Sequence, residues 1–159
     1  MSNAALIAET VLGQDLTIEE CELLTHITGQ HSLSKGDVLF NEGSTDEILY
    51  IVVSGKLEVL QVISGDNALS IATLKRGALI GELSFIDGLA HSMRLISKTD
   101  VEVLTIKKSD FEALVEQQPL LTFHVMRAIL RYSHKLQQQM NNKYLEMHRL
   151  VQNQYTATY

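Results

Sequence analysis

Ala78-Leu79-Ile80-Gly81-Glu82-Leu83-Ser84-Phe85-Ile86-Asp87-Gly88 decides how this chain is read. A strand-like apolar run stops at Gly81, and a short turn of helix begins at once. Such a corner aims free backbone N–H groups outward, an arrangement that suits an anion such as phosphate. Glu82 stands in the corner with a side chain that, ionised, only accepts hydrogen bonds. Beside a phosphate site it would repel the phosphate unless it met a donor, and a sugar hydroxyl is the natural one. The stretch therefore points to a nucleotide sugar-phosphate. It also has a plain structural use: a strand-to-helix corner in which Glu82 is a first-turn charge favoured by the helix dipole.

Working outward, residues 30–108 carry short β-branched runs punctuated by Gly36, Gly43, Gly55, Gly65, Gly77 and Gly88, the texture of an all-β barrel or sandwich. Ser64-Gly65-Asp66-Asn67 predicts a hairpin turn between strands at 57–63 and 69–74, and Thr99-Asp100 a second tight turn. Upstream, residues 4–12 predict a short helix ending near Gly13. Thr17 with Glu20 three residues later is a capping box, opening a helix marked by Ile18, Leu24 and Ile27 that Gly29 ends. Downstream, Ser109 is a candidate N-cap for a helix burying Phe111, Leu114 and Val115, and Pro119 restarts the chain at the first turn of a long helix. From Leu120 to Gln152 there is no Gly or Pro. The apolar residues fit a heptad, with Met126, Ser133, Met140 and Met147 at one core position and Ile129, Leu136, Lys143 and Leu150 at the other. A helix this long needs a partner for its stripe. The candidates are a parallel seam with a second copy, using Met126, Ile129, Leu136, Met140, Met147 and Leu150, or a tail folded back on its own domain.

Several motifs in sequence order carry a family resemblance. Lys35-Gly36-Asp37 precedes a strand and Asn41-Glu42-Gly43-Ser44 follows it; then come Leu49 to Val59 (LYIVVSGKLEV), the corner Ile80-Gly81-Glu82-Leu83-Ser84, and Val101 to Ile106 (VEVLTI), with Phe111 and Pro119 after the sheet. On these, residues 30–137 resemble the cyclic nucleotide-binding domain family of the catabolite activator and cyclic-AMP-dependent kinase regulatory type. The resemblance implies an α+β fold, an antiparallel β-roll (double-stranded β-helix, jelly-roll type) flanked by N-terminal helices and a long C-terminal helix. It divides the chain into N-terminal helices 1–29, a β-roll domain 30–118, a dimerisation helix 119–152 and a tail 153–159.

It also implies roles. Gly81 would let the backbone approach a cyclic phosphate, Glu82 would accept from the ribose 2′-hydroxyl, and Leu83 and Ser84 would supply N–H groups or small contacts. Family members that bind ligand carry an arginine where this chain has His91, followed by Ser92. A histidine lacks the bidentate fork and permanent charge of arginine. Losing that fork costs about 1.5–3 kcal/mol, roughly a factor of ten to a hundred in affinity. Arg94, three residues on, is expected on the opposite face of its strand, and Met93 is bulkier than the small residue expected there. Leu136 and Gln137 match the base-capping positions. The implied ligand is a cyclic nucleotide, cAMP or cGMP, with no cofactor required. The implied partners are a second copy of the chain and an effector protein. A recognition helix would follow the long helix in DNA-binding relatives, whereas the sequence ends at Tyr159, so no direct DNA binding is expected. The competing reading is a degenerate, ligand-free domain of the same fold acting as a dimeric scaffold.

Composition narrows the classes. Of 159 residues, 45% are hydrophobic, enough for a core. Cys21 is the one cysteine, which fits a reducing, cytoplasmic setting. No apolar run reaches the ~18 residues a membrane span needs, and the start of the chain lacks the basic n-region of a signal peptide. Residues 1–119 hold 8 Lys/Arg against 18 Asp/Glu, whereas residues 120–159 hold 5 against Glu146 alone. The body should repel nucleic acid, and the basic helix carries either a solvated face or a contact for an acidic surface. His26, His31, His91, His124, His134 and His148 form no metal-ligand spacing. Cys21 has no activating basic neighbour, and Glu42 with Asp46 reads as a polar turn. An enzyme is not expected.

Overall fold

The computed structural model describes residues 2–157; Met1, and Thr158 and Tyr159 of the expected tail, lie outside the described residues. Strand β3 (Ile48–Ser54) explains the architecture. It reads as an unbroken apolar run because both of its faces are covered. Leu49 and Ile51 point into one hydrophobic cluster, Tyr50 and Val52 into another. β8 (Val101–Lys107) does the same, with Leu104 and Ile106 on the first side and Val101 and Val103 on the second. Side chains alternate across a strand, so two buried faces put one core on each side of this sheet.

β1 (Thr28–Leu33), β8, β3 and β6 (Leu79–Ile80) form one four-stranded sheet; β2 (Val38–Phe40), β7 (Arg94–Ser97), β4 (Leu57–Ser64) and β5 (Asn67–Leu74) form the other. Every strand pairing is antiparallel. The inner core between the sheets contains Phe40, Tyr50, Leu57, Ile80 and Leu95. The outer core lies between the first sheet and the helices: α1 (Asn3–Ala8), α2 (Ile18–Thr25), α3 (Glu82–Asp87), α4 (Lys108–Ala113) and α5 (Pro119–Thr156). The protein is thus an α+β fold, an antiparallel β-roll flanked by helices.

Local signals act where expected at two points. Thr17 Oγ1 accepts from the Glu20 N–H at 3.2 Å while Glu20 returns the bond to the Thr17 N–H at 2.9 Å, closing the capping box. The β4–β5 hairpin turns at Gly65-Asp66. Elsewhere the chain departs from expectation. α1 stops at Ala8 because a single 3-10 turn at Gly13–Asp15 doubles back on it; a Cβ at Gly13 would meet the Ile7 carbonyl at 2.3 Å. α2 ends at Thr25, before Gly29, which lies within β1, and Ile18 in its first turn is 76% exposed. α4 is capped at Lys107, since β8 runs straight into it, so Ser109 is inside the helix; Val115 lies outside it and is exposed. α5 runs past the expected end at Gln152 to Thr156. Its own-domain stripe is Leu121, Val125, Ala128 and Ile129, so Ile129, 1% exposed, is turned inward rather than toward a partner helix. Met140, Met147 and Leu150 are exposed on the part of α5 that projects from the body.

Candidate functional site

β6 pairs with β3 through Ile80–Tyr50 and Leu79–Ile51, then ends at Gly81. Gly81 has φ +80°, and a Cβ there would sit 2.7 Å from the Ile48 carbonyl oxygen. Only glycine fits both the left-handed backbone and the close approach. α3 follows at once. Buried Phe85 anchors it, its ring centroid 5.3 Å from that of Phe111. The Phe85 N–H donates to the Gly81 carbonyl at 2.9 Å, and buried Ser84 Oγ accepts the Glu47 N–H at 3.1 Å. α3 is therefore a short, fixed post beside β3.

The loop after α3 is pinned to the loop after β2. The His91 N–H donates to the Ser44 carbonyl at 2.8 Å, and the His91 carbonyl accepts from the Gly43 N–H at 2.7 Å. The imidazole, 7% exposed, stacks on Phe40 with ring centroids 3.6 Å apart and planes 10° from parallel. Its Nε2 lies 3.1 Å from Asp46 Oδ1, close to the carboxylate but off the line of a hydrogen bond. Asp46 Oδ1 also accepts the Ile48 N–H at 3.1 Å, and its Oδ2 accepts the Tyr50 hydroxyl at 2.6 Å. Burial, and secondarily Asp46, pushes the Tyr50 phenol up, so Tyr50 remains a donor.

Between these walls is a cavity of about 530 Å³, within the range of small-molecule sites. Gly81, Glu82, Leu83, Ser84, His91 and Ser92 all line it, as do Met93 and, from α5, Leu136. Gln137 is exposed and does not line it, and Arg94 does not either: its neighbours Met93 and Leu95 face the cavity. Sequence reasoning missed Phe40, which stacks under His91, and Tyr132 on α5. Asp46, read as a polar turn, is the residue that holds His91 and Tyr50 together. Among the described residues lining the cavity there is no lysine or arginine. Burial raises the Glu82 carboxyl, and the residue's own backbone amide only partly opposes this. Tyr132 is raised by burial; the Leu79 backbone opposes the shift and the charge of Glu82 adds to it. Among the described residues no group of three His, Cys, Asp or Glu could hold a metal ion, and no helix is long and apolar enough to cross a membrane.

A family model described as a cyclic nucleotide-binding domain matches residues 30–118. The cyclic AMP receptor protein of Thermus thermophilus is 30% identical over 115 residues, covering 72% of this chain and 53% of that protein. The anaerobic regulatory protein of Bacillus subtilis is 30% identical over 117 residues, covering 73% of this chain and 49% of that protein. This chain thus spans about half the length of these relatives. A solved cyclic nucleotide-binding domain from Methylobacillus flagellatus superposes with a TM-score of 0.82 at 21% identity, over 89% of this chain and 82% of that one, a likeness of fold.

Proposed function

The chain belongs to the cyclic nucleotide-binding domain family, and from that premise we propose that it is a regulatory module, not an enzyme. It senses a cyclic nucleotide, cAMP or cGMP, or a ligand of similar shape, and signals to an effector protein through α5. The observation that carries this reading is a formed cavity with one wall on the fixed corner Gly81–Ser84 and the other on α5, at Tyr132 and Leu136. A ligand whose hydroxyl donates to Glu82 would touch both walls. It would favour the arrangement of α5 that closes on it, a population shift in which the projecting end of the helix is the output. Exposed Met140, Met147 and Leu150 on that end form the seam of a homodimer in this reading. Buried Cys21 needs no oxidising compartment and fits a cytoplasmic setting.

Calorimetry with cAMP and cGMP tests the ligand half. Micromolar dissociation constants are expected, and absence of heat at millimolar ligand refutes sensing. Hydrogen exchange along 133–150 tests the signalling half: protection should rise with ligand, and identical exchange with and without it removes the switch. The second reading is a ligand-free dimeric scaffold of the same fold. It is favoured by one observation, the absence of lysine and arginine from the described cavity lining.

A further inference from the structure

Resting on the ligand-sensing reading above, we propose that the Gly81 cavity selects an uncharged ligand of nucleoside size. Such a ligand donates a hydroxyl hydrogen bond to Glu82, lays an apolar or aromatic face on the remaining lining, and gains no affinity from a phosphate charge.

The cationic candidate in the described lining is His91, and its Nε2 faces Asp46 Oδ1 at 3.1 Å. With Asp46 as carboxylate, that pair is neutral when the imidazole is protonated and singly negative when it is not. Glu82 adds either nothing or one more negative charge. The wall is then positive in no protonation state, while a cyclic phosphate carries a full negative charge. A phosphate placed here meets the Glu82 carboxylate with no lysine or arginine in the described lining to offset it, and leaving water for such a place is unfavourable.

The corner supplies no substitute charge. α3 is six residues long and stacks few peptide dipoles, so it does not replace the missing cation. The Phe85 N–H is already committed to the Gly81 carbonyl.

The rest of the lining is mostly apolar. Phe40, Val59, Leu79, Leu95, Met93 and Leu136 present hydrocarbon or sulfur. A neutral planar group loses little in entering such a site and gains from burial. Glu82 gives it one oriented polar contact, since its carboxylate accepts from a hydroxyl.

The test is calorimetric titration of the full chain with adenosine and with cAMP, which share a base and a sugar and differ in the charged phosphate. Adenosine is expected to bind at least as tightly as cAMP, because the phosphate meets no lysine or arginine in the described lining and about tenfold tighter cAMP binding would require a further interaction worth a charged contact. cAMP binding at least about tenfold tighter than adenosine overturns the proposal and leaves the sensing reading intact. No heat from either compound at millimolar concentration overturns the sensing reading and this proposal with it. A second measurement uses Ser92→Arg, at an exposed position of the lining. The added guanidinium should raise the ratio of cAMP to adenosine affinity by about tenfold or more, the usual worth of a charged hydrogen bond. A ratio it does not move overturns the charge argument.

Discussion

Glu82 carries a cost that its function would explain. Burial raises its carboxyl above the ordinary value of 4.5, so between the two values the folded protein holds a proton that the unfolded chain releases. The stability tied to this group is complete below the ordinary carboxylate pKa and is lost as pH rises through the folded-state value. Near neutral pH, an ionised Glu82 therefore destabilises the unliganded fold. Glu82→Gln should raise Tm at about pH 7, and the gain should close by about pH 4, where both states are protonated. Thermal scans of the two proteins at both pH values decide it; an equal gain at both would show that charge is not the cause. Gly81 is a steric counterpart. Gly81→Ala adds the left-handed backbone penalty of about 1–2 kcal/mol to a collision with the Ile48 carbonyl, which is backbone and cannot swing aside. Gly43, at φ +83° with nothing within 4 Å of a Cβ, isolates the first contribution. Urea unfolding should therefore rank Gly81→Ala well below Gly43→Ala, and equal losses would refute the close-approach argument.

Among the elements, α5 holds both the clearest and the most misleading signals. Pro119 and the absence of any later Gly or Pro announce one long helix, and the structure has it. The heptad frame, however, offered Ile129 and Leu136 to a partner helix or to a folded-back tail, while the family resemblance also gave Leu136 to the ligand. The helix first serves its own roll, burying Leu121, Val125, Ala128 and Ile129, and turns Tyr132 and Leu136 to the cavity. A one-dimensional period cannot say which of two neighbours covers a stripe, and that is why Tyr132 was invisible to it. The corner was legible because a glycine between two structural periods has few uses. The Asp46–Tyr50–His91 cluster was not, since His91 joins the local Asp46–Tyr50 pair only when two distant segments fold together. Beyond the body, Met140, Tyr144, Met147, Leu150, Val151 and Tyr155 stay exposed. With so much apolar surface on one projecting helix, pairing with a second copy is the economical outcome. Met147→Glu with Leu150→Glu should convert a dimer to a monomer in sedimentation equilibrium, and wild-type Tm should rise with concentration. A wild-type protein that sediments as a monomer at all concentrations would defeat the seam.

The charge asymmetry of the whole molecule is used internally. The body is acidic and α5 is basic, and the described structure joins them. Asp15, in the 3-10 turn, takes Arg131 at 2.7 Å and Arg127 at 3.3 Å, and Glu20, while capping α2, also meets His124 Nδ1 at 3.0 Å. The N-terminal helices thus hold the base of the helix whose far end projects from the roll. Any ligand signal leaving through α5 must act against, or through, this clamp. The hydrogen bond from Arg131, followed by its charge and that of Arg127, holds the Asp15 carboxyl below its ordinary 3.8 against the opposing effect of burial. The sign is opposite to that of Glu82: the contribution of Asp15 is present above the ordinary carboxylate pKa and is lost as pH falls through the lower folded-state value. Asp15→Asn should therefore lower Tm near neutral pH. The deficit should shrink on acidification and in high salt, because exposed guanidinium groups are readily screened. It should also speed hydrogen exchange in residues 124–133 while leaving the β4–β8 core unchanged, because the clamp touches α5 and not the sheets. If exchange quickens uniformly across the protein, Asp15 supports the fold as a whole and the clamp does not govern the helix.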